Sequence, residues 1–368
     1  MRFNIEVVAI SKVPEFDRSH ITEATRHGVL ARVFAAVDDS DTDLGPLTRR
    51  HAAPAAHEYL THRLTHPEMV VHVEGHYLLR LLPEQVRRAA LLVEHNVEST
   101  LFVQRAAQHP APAERAILLR EGDRTRSDEL AAWRQVRAIG AVTEEDADTI
   151  RDAVPDADVR HLPNGADHLS RRSDTFDARQ RESARLLFVA ALGYNPNVHA
   201  VQLLVADIFP EILRRCPDAT LAVVGSDPPG WLLDAALREP RLTVTGWVPD
   251  VASWLDAAQV VVCPLTIGGG VKVKVLEALA RGCAVVATPI ALQGLRHLPP
   301  GAIVECADVP TFVEICVRLL CSPQQRERQR ARAAQAALHL PSWDCAADAL
   351  ATTWSEMADI TSPTVISG

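Results

Sequence analysis

Residues 260–288 read VVVCPLTIGGGVKVKVLEALARGCAVVAT. A short apolar run is followed by a glycine-rich loop, a helix-like segment and a second apolar run, which is the pattern of a β-α-β unit. Strands that are connected in this way lie parallel in one sheet, and the helix packs on a face of that sheet. The stretch therefore predicts an α/β fold built on a parallel sheet.

The same alternation of strands and helices extends along the chain in two series. A polar, arginine-rich stretch separates them, so we place a linker near residues 165–185. Because 368 residues suit two α/β cores, we predict two doubly wound, Rossmann-like domains, 1–168 and 169–341, facing a central cleft, and a helical segment 342–368 that can cross back to the first domain. The predicted strands are 3–10, 33–37, 69–73, 89–93 and 139–142, then 186–191, 220–224, 242–245, 260–263, 284–287 and 303–305.

The composition excludes several classes of protein. A formal charge of −9 argues against a general nucleic-acid surface, which needs clustered positive charge. No apolar run approaches the roughly 20 residues that span a bilayer, and the first residues lack the features of a signal peptide. Seven cysteines without a Cys-x-x-Cys pair indicate reduced core thiols. We therefore expect a cytoplasmic protein without a transmembrane segment.

Charge and hydrogen-bonding groups are concentrated in the glycine-rich loop. Lys272 and Lys274 are two of only three lysines in the chain, and they stand at the start of a helix whose dipole is already positive. Such a placement indicates a bound anion, and glycines allow backbone N–H groups to close around it. Glu277 shares the Lys274 face, which suits a nucleoside diphosphate. The alternative is an ordinary turn with solvated lysines and a surface pair between Lys274 and Glu277.

Several ordered motifs resemble those of glycosyltransferases with the GT-B fold, family 4 type. They are the loop and helix at 268–288, FVAALGYNPNV at 188–198, VVG at 223–225, GWVPD at 246–250 and PNGAD at 163–167. The resemblance implies that the second domain holds the nucleotide, with Glu277 on the ribose and Lys274 on the diphosphate, and that the first domain binds the acceptor. The donor-binding residues that it implies are Gly193, Gly225, Gly246, Trp247, Gly268, Gly269, Gly270, Val271, Lys272, Lys274 and Glu277.

The chain departs from the family pattern in its donor loop. Gly269 stands where many members have a glutamate that touches the donor sugar, so backbone amides of residues 269–271 are expected to contact the sugar or phosphate instead. Residues 193–197 lack the Arg and Lys that many members carry after the first strand of this domain. Lys272 and Lys274 are therefore expected to be the principal phosphate-binding cations.

The first domain supplies the remaining candidate residues. His95 follows a predicted strand and resembles the family histidine that faces the donor sugar, so the expected catalytic set is His95, Lys274 and Glu277. His72 and Glu74 resemble a His-x-His segment in which glutamate replaces the second histidine. A glycine pair of the family is replaced by Ser11 and Lys12. The residues expected on the acceptor side are His72, Glu74, Asn96, Ser11 and Lys12.

The resemblance implies a retaining, metal-independent glycosyltransferase without a cofactor. Its donor would be a UDP- or GDP-type sugar, and its acceptor a glycan, a lipid or a small natural product. A nucleotide-sugar epimerase of the same fold and a non-catalytic sugar-nucleotide-binding protein remain open alternatives. We give less weight to a metal-dependent transferase using Asp-x-Asp at 39–43, to a zinc hydrolase using His57, His62 and His66, and to a dinucleotide-dependent dehydrogenase using 224–230.

Overall fold

Parallel strands organise the chain in two compact units. The computed structural model describes residues 4–12, 21, 25–64, 69–169 and 184–361, so most of the predicted linker at 165–185, together with His66, lies outside the described residues. The first unit comprises Met1–Leu162 and Ala347–Gly368, and the second comprises Pro163–Ala346. Within the described part of the chain, no helix has the length and apolar character needed to cross a membrane.

The described strands of the first unit pair in two ladders. β1 and β2 pair parallel with each other, and β3 to β6 form a second parallel sheet in sequence order. The sequence analysis did not predict β6, because its sequence DVRH has no apolar run and its side chains are at most half-buried. The bounds are Glu6–Ser11 (β1), Leu30–Ala35 (β2), His72–Glu74 (β3), Leu91–Glu94 (β4), Ala138–Ala141 (β5) and Asp158–His161 (β6).

The helices of the first unit bury an apolar core against the sheet of β3 to β6. Leu92, Ile139, Ile150 and Trp133 are fully buried in this core. Prolines occupy the first turns of several helices, where their missing N–H has no intrahelical partner to lose. The helices are Pro46–Arg50 (α1), Pro54–Arg63 (α2), Glu84–Arg87 (α3), Glu98–Gln108 (α4), Pro112–Trp133 (α5) and Glu144–Ala153 (α6), and a 3₁₀ turn covers His76–Leu81.

The second unit contains one sheet of six parallel strands. Its order is β12-β11-β10-β7-β8-β9, so the chain starts in the middle, runs to one edge and then returns to build the other half. Most strands are buried on both faces and read as continuous apolar runs, as parallel sheets require. The bounds are Arg185–Val189 (β7), Thr220–Val224 (β8), Leu242–Val244 (β9), Val260–Cys263 (β10), Ala284–Ala287 (β11) and Val304–Glu305 (β12).

Helices follow the strands of this sheet and continue to the end of the described chain. The last helix begins in the second unit, and its residues from Ala347 onward are grouped with the first unit. Within the first unit, Trp354 packs edge-on against His72, and Glu356 pairs with Arg160 at 2.5 Å. The helices are Asn195–Leu203 (α7), Phe209–Arg215 (α8), Gly230–Arg238 (α9), Ala252–Ala257 (α10), Val273–Ala280 (α11), Val309–Cys321 (α12), Pro323–Ala337 (α13) and Trp343–Thr361 (α14).

The cysteines only partly match the expectation of core thiols. All seven are free, and Cys263, Cys283, Cys306 and Cys316 are buried. The expectation is wrong for Cys321 and Cys345, which are exposed. Cys321 is the last residue of α12 and Cys345 lies in the first turn of α14, where side chains point away from the core.

Candidate functional site

The strand order of the second unit defines where a ligand site is expected. The order reverses between β7 and β10, and the chain leaves these two strands in opposite directions along the sheet. In open α/β sheets such a reversal leaves a crevice at the carboxyl ends of the strands, where ligands bind. The loop after β10 leads into α11, and the loop after β7 leads into α7. These two loops contain most of the predicted donor residues.

Lys274 joins the helices that follow these two loops. Its Nζ donates a hydrogen bond of 2.5 Å to Oδ1 of Asn197, and it lies 5.1 Å from the centroid of the Phe188 ring. The amide of Asn197 in turn donates from Nδ2 to the carbonyl oxygen of Ala191 at 2.8 Å. Burial lowers the pKa of Lys274, because the ammonium is largely removed from water. The side chain is therefore a partly desolvated cation that a neutral amide oxygen holds in place.

Lys272 stabilises the glycine loop itself. Its buried Nζ donates to the carbonyl oxygens of Gly269 at 3.0 Å and Gly270 at 2.6 Å. A Cβ atom on Gly268 would lie 3.0 Å from Cε of Lys272, so the glycine leaves room for the lysine stem. Gly270 has a φ of +62°, which few other residues adopt. These contacts give Lys272 a role in the shape of the loop, beside its predicted role in phosphate binding.

Glu277 lies one turn after Lys274 on α11, but the two side chains have different hydrogen-bond partners. Oε1 of Glu277 lies 3.0 Å from Nε2 of His168, and the glutamate side chain is 17% exposed. Nδ1 of His168 accepts a hydrogen bond of 3.1 Å from the indole of Trp343. α11 ends at Ala280, and Gly282 follows at a φ of +63°, a conformation that commonly terminates helices.

The other predicted donor residues of this unit divide into backbone and side-chain positions. Gly225 has a φ of +153°, and a Cβ atom there would lie 1.7 Å from the carbonyl oxygen of Ala190. Its N–H donates to the carbonyl oxygen of Gly246 at 3.1 Å. A Cβ atom on Gly193 would lie 3.7 Å from Asp227, which is an ordinary contact distance, so this position does not require glycine. Trp247 is 72% exposed.

In the first unit a carboxylate lies between two histidines. Oε2 of Glu74 lies 2.8 Å from Nε2 of His95, and Oε1 lies 3.1 Å from Nε2 of His72. Burial favours the neutral acid, but the interactions with the two imidazoles outweigh it and lower the pKa of Glu74 to about 2. The hydrogen bond that His95 donates to Glu74 raises the pKa of His95 against the effect of burial. Three of the predicted residues therefore form one cluster at the ends of β3 and β4.

A second His–Glu pair lies buried beside this cluster. Nδ1 of His76 lies 3.2 Å from Oε1 of Glu94, and the same oxygen accepts 2.9 Å from the indole of Trp133. Burial alone would lower the pKa of His76, but the charge of Glu94 raises it to about 9. The exposed pair joins residues 74 and 95, and the buried pair joins residues 76 and 94. The sequence analysis did not single out His76 or Glu94.

The remaining predicted acceptor-side residues are Asn96, which follows His95 in sequence, and Ser11 and Lys12, at the end of β1. Asn96 donates from Nδ2 to Oε1 of Glu98 at 3.0 Å, a local contact at the start of α4. Ser11 is buried at the end of β1, and its carbonyl oxygen accepts from the N–H of Ala36. Lys12 is exposed and is the last described residue before a gap in the described chain.

The patterns behind the metal alternatives have structural explanations. Asp39 and Asp41 each accept a hydrogen bond from the backbone N–H two residues later, and Asp39 pairs with Arg80 at 2.9 Å. Nδ1 of His57 lies 2.9 Å from the carbonyl oxygen of Leu81. Over the described ranges, no group of three or more His, Cys, Asp or Glu side chains is arranged to hold a metal ion.

Much of the second unit matches a known protein family in sequence. Residues 183–322 match the family of glycosyl transferases group 1. Over 138 residues the chain is 31% identical to the phosphatidyl-myo-inositol mannosyltransferase of Mycobacterium tuberculosis, a match that covers 36% of each chain. The chain thus aligns with about a third of that relative's length.

Structural comparison extends the likeness to the whole fold. A sucrose-phosphate synthase from Thermosynechococcus elongatus superimposes with a TM-score of 0.68 at 16% identity, covering 97% of this chain and 100% of that one. Anabaena HepE in complex with UDP and glucose gives a TM-score of 0.69 at 15% identity, covering 96% and 100%. At such identities the likeness shows the fold alone, which is the predicted GT-B fold with two Rossmann-like domains. Residues 183–322 thus match the glycosyl transferases group 1, and the chain has the fold of the GT-B glycosyltransferases.

Proposed function

We propose that the chain is a retaining glycosyltransferase that moves a sugar from a UDP- or GDP-type nucleoside-diphosphate sugar to an acceptor, without a metal ion. The observation that carries the proposal is the placement of Lys274 and Glu277 on α11, where the strand order of the second unit reverses. A cation and a hydrogen-bond acceptor at such a crevice match the two polar ends of a nucleoside diphosphate, the phosphates and the ribose.

Lys274 supplies charge to the diphosphate. Its present partner is the neutral carbonyl oxygen of Asn197, so a phosphate oxygen is a stronger partner for the same ammonium. Breaking the bond between sugar and diphosphate places negative charge on the leaving phosphate. A fixed cation in a site with little water stabilises that charge directly, which lowers the barrier without a metal ion. The N–H groups of the loop that Lys272 shapes add to this stabilisation.

Glu277 accepts hydrogen bonds from the ribose hydroxyl groups. Its carboxylate is mostly buried, and one of its oxygens is already bonded to His168. A buried carboxylate without a hydroxyl partner is unfavourable, so the site favours a ribonucleotide over an analogue without these hydroxyls.

In the first unit, His95 is proposed as the residue that orients the donor sugar. Glu74 is ionised at neutral pH, because its pKa is lowered to about 2, and it keeps His95 in position as a hydrogen-bond donor. In this scheme His95 is not an obligatory base. The leaving phosphate takes the proton of the attacking hydroxyl on the same face of the sugar, and the anomeric configuration is retained. His72, Glu74, Asn96, Ser11 and Lys12 remain the proposed acceptor-side residues.

The comparisons support a nucleotide-sugar donor and leave the acceptor class broad. One related structure contains UDP and glucose, and the relative in M. tuberculosis is named for transfer of mannose to phosphatidyl-myo-inositol. We propose a glycan, a lipid or a small natural product as the acceptor of this chain.

The proposal is tested by incubating the purified protein with UDP-, GDP-, dTDP- and ADP-sugars, each with and without a mixed acceptor panel, in the presence of a chelator. We expect acceptor-dependent release of one nucleoside diphosphate, and an NMR spectrum of the product that shows the donor's anomeric configuration. Conversion of the donor alone into an epimer would instead identify an epimerase. Tight nucleotide binding without transfer or hydrolysis would identify a binding protein.

A further inference from the structure

We propose that His168 and Trp343 fix the direction of the Glu277 carboxylate and thereby set the preference of the site for a ribonucleotide. The inference rests on the proposed function of Glu277 as the acceptor for ribose hydroxyls. It assigns a positioning role to two residues that no motif of the sequence pointed to.

The three side chains form a continuous hydrogen-bonded chain within the second unit. Nε1 of Trp343 lies 3.1 Å from Nδ1 of His168, and Nε2 of the same imidazole lies 3.0 Å from Oε1 of Glu277. His168 and Trp343 are 175 positions apart in sequence, and Glu277 is 109 positions from His168. Three distant segments therefore meet at the one carboxylate that the nucleotide requires.

The chemistry of the three groups fixes the direction of every hydrogen bond. An indole N–H can only donate, so Nδ1 of His168 must accept. In the neutral imidazole the proton then resides on Nε2, which must donate to the carboxylate. Trp343 thus selects the tautomer of His168, and that tautomer directs an N–H at Oε1 of Glu277. Because Oε1 of Glu277 accepts this hydrogen bond, the carboxylate is held in one orientation. Its second oxygen, Oε2, then points in one fixed direction.

The backbone around His168 is built to hold this arrangement. Oδ1 of Asp167 accepts 2.7 Å from the backbone N–H of Trp343, and the N–H of Ala166 donates 2.9 Å to the carbonyl oxygen of Pro341. A Cβ atom on Gly165 would lie only 2.4 Å from the backbone nitrogen of Trp343. The segment 163–167, which reads PNGAD, therefore packs directly against the start of α14. Its glycine permits the close approach that brings His168 to the indole.

Fixing the carboxylate affects the nucleotide in a specific way. A glutamate that is already oriented loses less side-chain freedom when it binds two hydroxyl groups. A ligand without those hydroxyls leaves the oriented, mostly buried acceptor unpaired and is rejected. Loss of the His168 hydrogen bond should therefore strongly reduce the preference for ribose over dideoxyribose. It should reduce the contribution of the diphosphate to the binding free energy much less.

The test measures Kd by calorimetry for UDP and for 2′,3′-dideoxy-UDP, or for the GDP pair if the protein selects guanine. We expect the unaltered protein to favour the ribonucleotide by about 10- to 100-fold, the value of one hydrogen bond to a charged group. His168→Ala and Trp343→Phe should bring this ratio within about threefold of the ratio for Glu277→Gln. His168→Gln keeps an N–H donor and should restore most of the preference.

Matched controls separate positioning from a general loss of structure. His297→Ala and Trp231→Phe alter an exposed histidine and a partly exposed tryptophan of the same unit and should leave the ratio unchanged. The ¹⁵N chemical shifts of His168 should report the Nε2–H tautomer in the unaltered protein, and a mixture of tautomers in Trp343→Phe. This measurement does not require the alanine variant to fold.

Two results would overturn the inference. If His168→Ala and Trp343→Phe keep the full preference while Glu277→Gln loses it, the positioning role is wrong and the ribose role of Glu277 stands. If Glu277→Gln itself keeps the preference, the ribose role in the proposed function is wrong, and the positioning role falls with it.

Discussion

Nζ of Lys274 lies 2.5 Å from Oδ1 of Asn197, and this hydrogen bond joins the helices that follow β10 and β7. The two strands are neighbours at the reversal of strand order in the second unit. Residues 190–197, which follow β7, contain no Lys or Arg, and Asn197 in α7 is the partner of Lys274. The amide carries no charge, so it does not neutralise the ammonium group that faces an anionic ligand.

Substitution of Asn197 should separate its positioning role from its charge. Asn197→Ala removes one partner of Lys274 and should weaken nucleoside-diphosphate binding by about 1 kcal/mol, the net value of one hydrogen bond. Asn197→Asp supplies an anion that pairs with Lys274 and repels phosphate, so it should weaken binding by about 2 kcal/mol or more. Calorimetric titration with the preferred nucleotide measures both. Equal affinities for the two variants would show that Lys274 does not bind phosphate.

Gly225 lies close to the backbone carbonyl of Ala190 and should not tolerate a side chain. Gly225→Ala would place a methyl group 1.7 Å from the carbonyl oxygen of Ala190 at a φ of +153°, so we expect a loss of stability. We expect a loss of more than about 2 kcal/mol, as for strained or overpacked positions. Gly230→Ala is the matched control, since a Cβ there meets no atom within 4 Å. Urea unfolding measures both variants, and equal midpoints would contradict the described backbone.

The buried pair of His76 and Glu94 should make stability depend on pH in alkaline solution. The pKa of His76 is raised from 6.5 to about 9, so the stabilisation is complete below pH 6.5 and is lost as the pH rises through about 9. Glu129 and Glu98 also raise this pKa. Thermal unfolding should show a falling Tm between pH 6.5 and 9, and Glu94→Gln should reduce the slope. Parallel slopes for the two proteins would contradict this origin.

Glu74 should control the protonation of His95. The hydrogen bond that His95 donates to Glu74 is the largest cause that raises the pKa of His95, so Glu74→Gln should lower that pKa and reduce the protonated fraction at neutral pH. An NMR titration of the histidine ring protons measures this change. His51 is the internal control, because its pKa is lowered chiefly by burial. An unchanged His95 titration in Glu74→Gln would show that the pair does not form.

The fold could be predicted from the sequence wherever strands are buried on both faces. The runs at β10 and β11 are continuous Val, Ala and Cys, and their predicted bounds, 260–263 and 284–287, match the structure. β6 was missed because an edge strand pairs on one side only and does not need an apolar run. Local pattern thus predicts strands that carry an apolar run, including the edge strands β9 and β12, and misses an edge strand such as β6 that has none.

The candidate site was predictable where its residues are close in sequence. Lys274 and Glu277 lie on one turn of α11, so spacing alone placed them together. Their partners Asn197 and His168 lie 77 and 109 positions away, and no periodicity links positions at such distances. Asn197 could have been singled out from the sequence, because it is a polar residue that closely follows β7. Nothing comparable marked Trp343, because its role depends on how the start of α14 packs against residues 165–168.

The central claim is that Lys274 and Glu277 hold a nucleoside diphosphate, and its most direct test is calorimetric titration of UDP and GDP into Lys274→Ala, Glu277→Ala and a control. The control is Arg238→Ala, because Arg238 is exposed in α9. Lys12→Ala would not serve, since Lys12 is a proposed acceptor-side residue. We predict that each site variant weakens binding of the preferred nucleotide by about 1–3 kcal/mol, the value of a hydrogen bond to a charged group, while the control binds as the unaltered protein does. Unchanged affinity in both site variants would contradict the account.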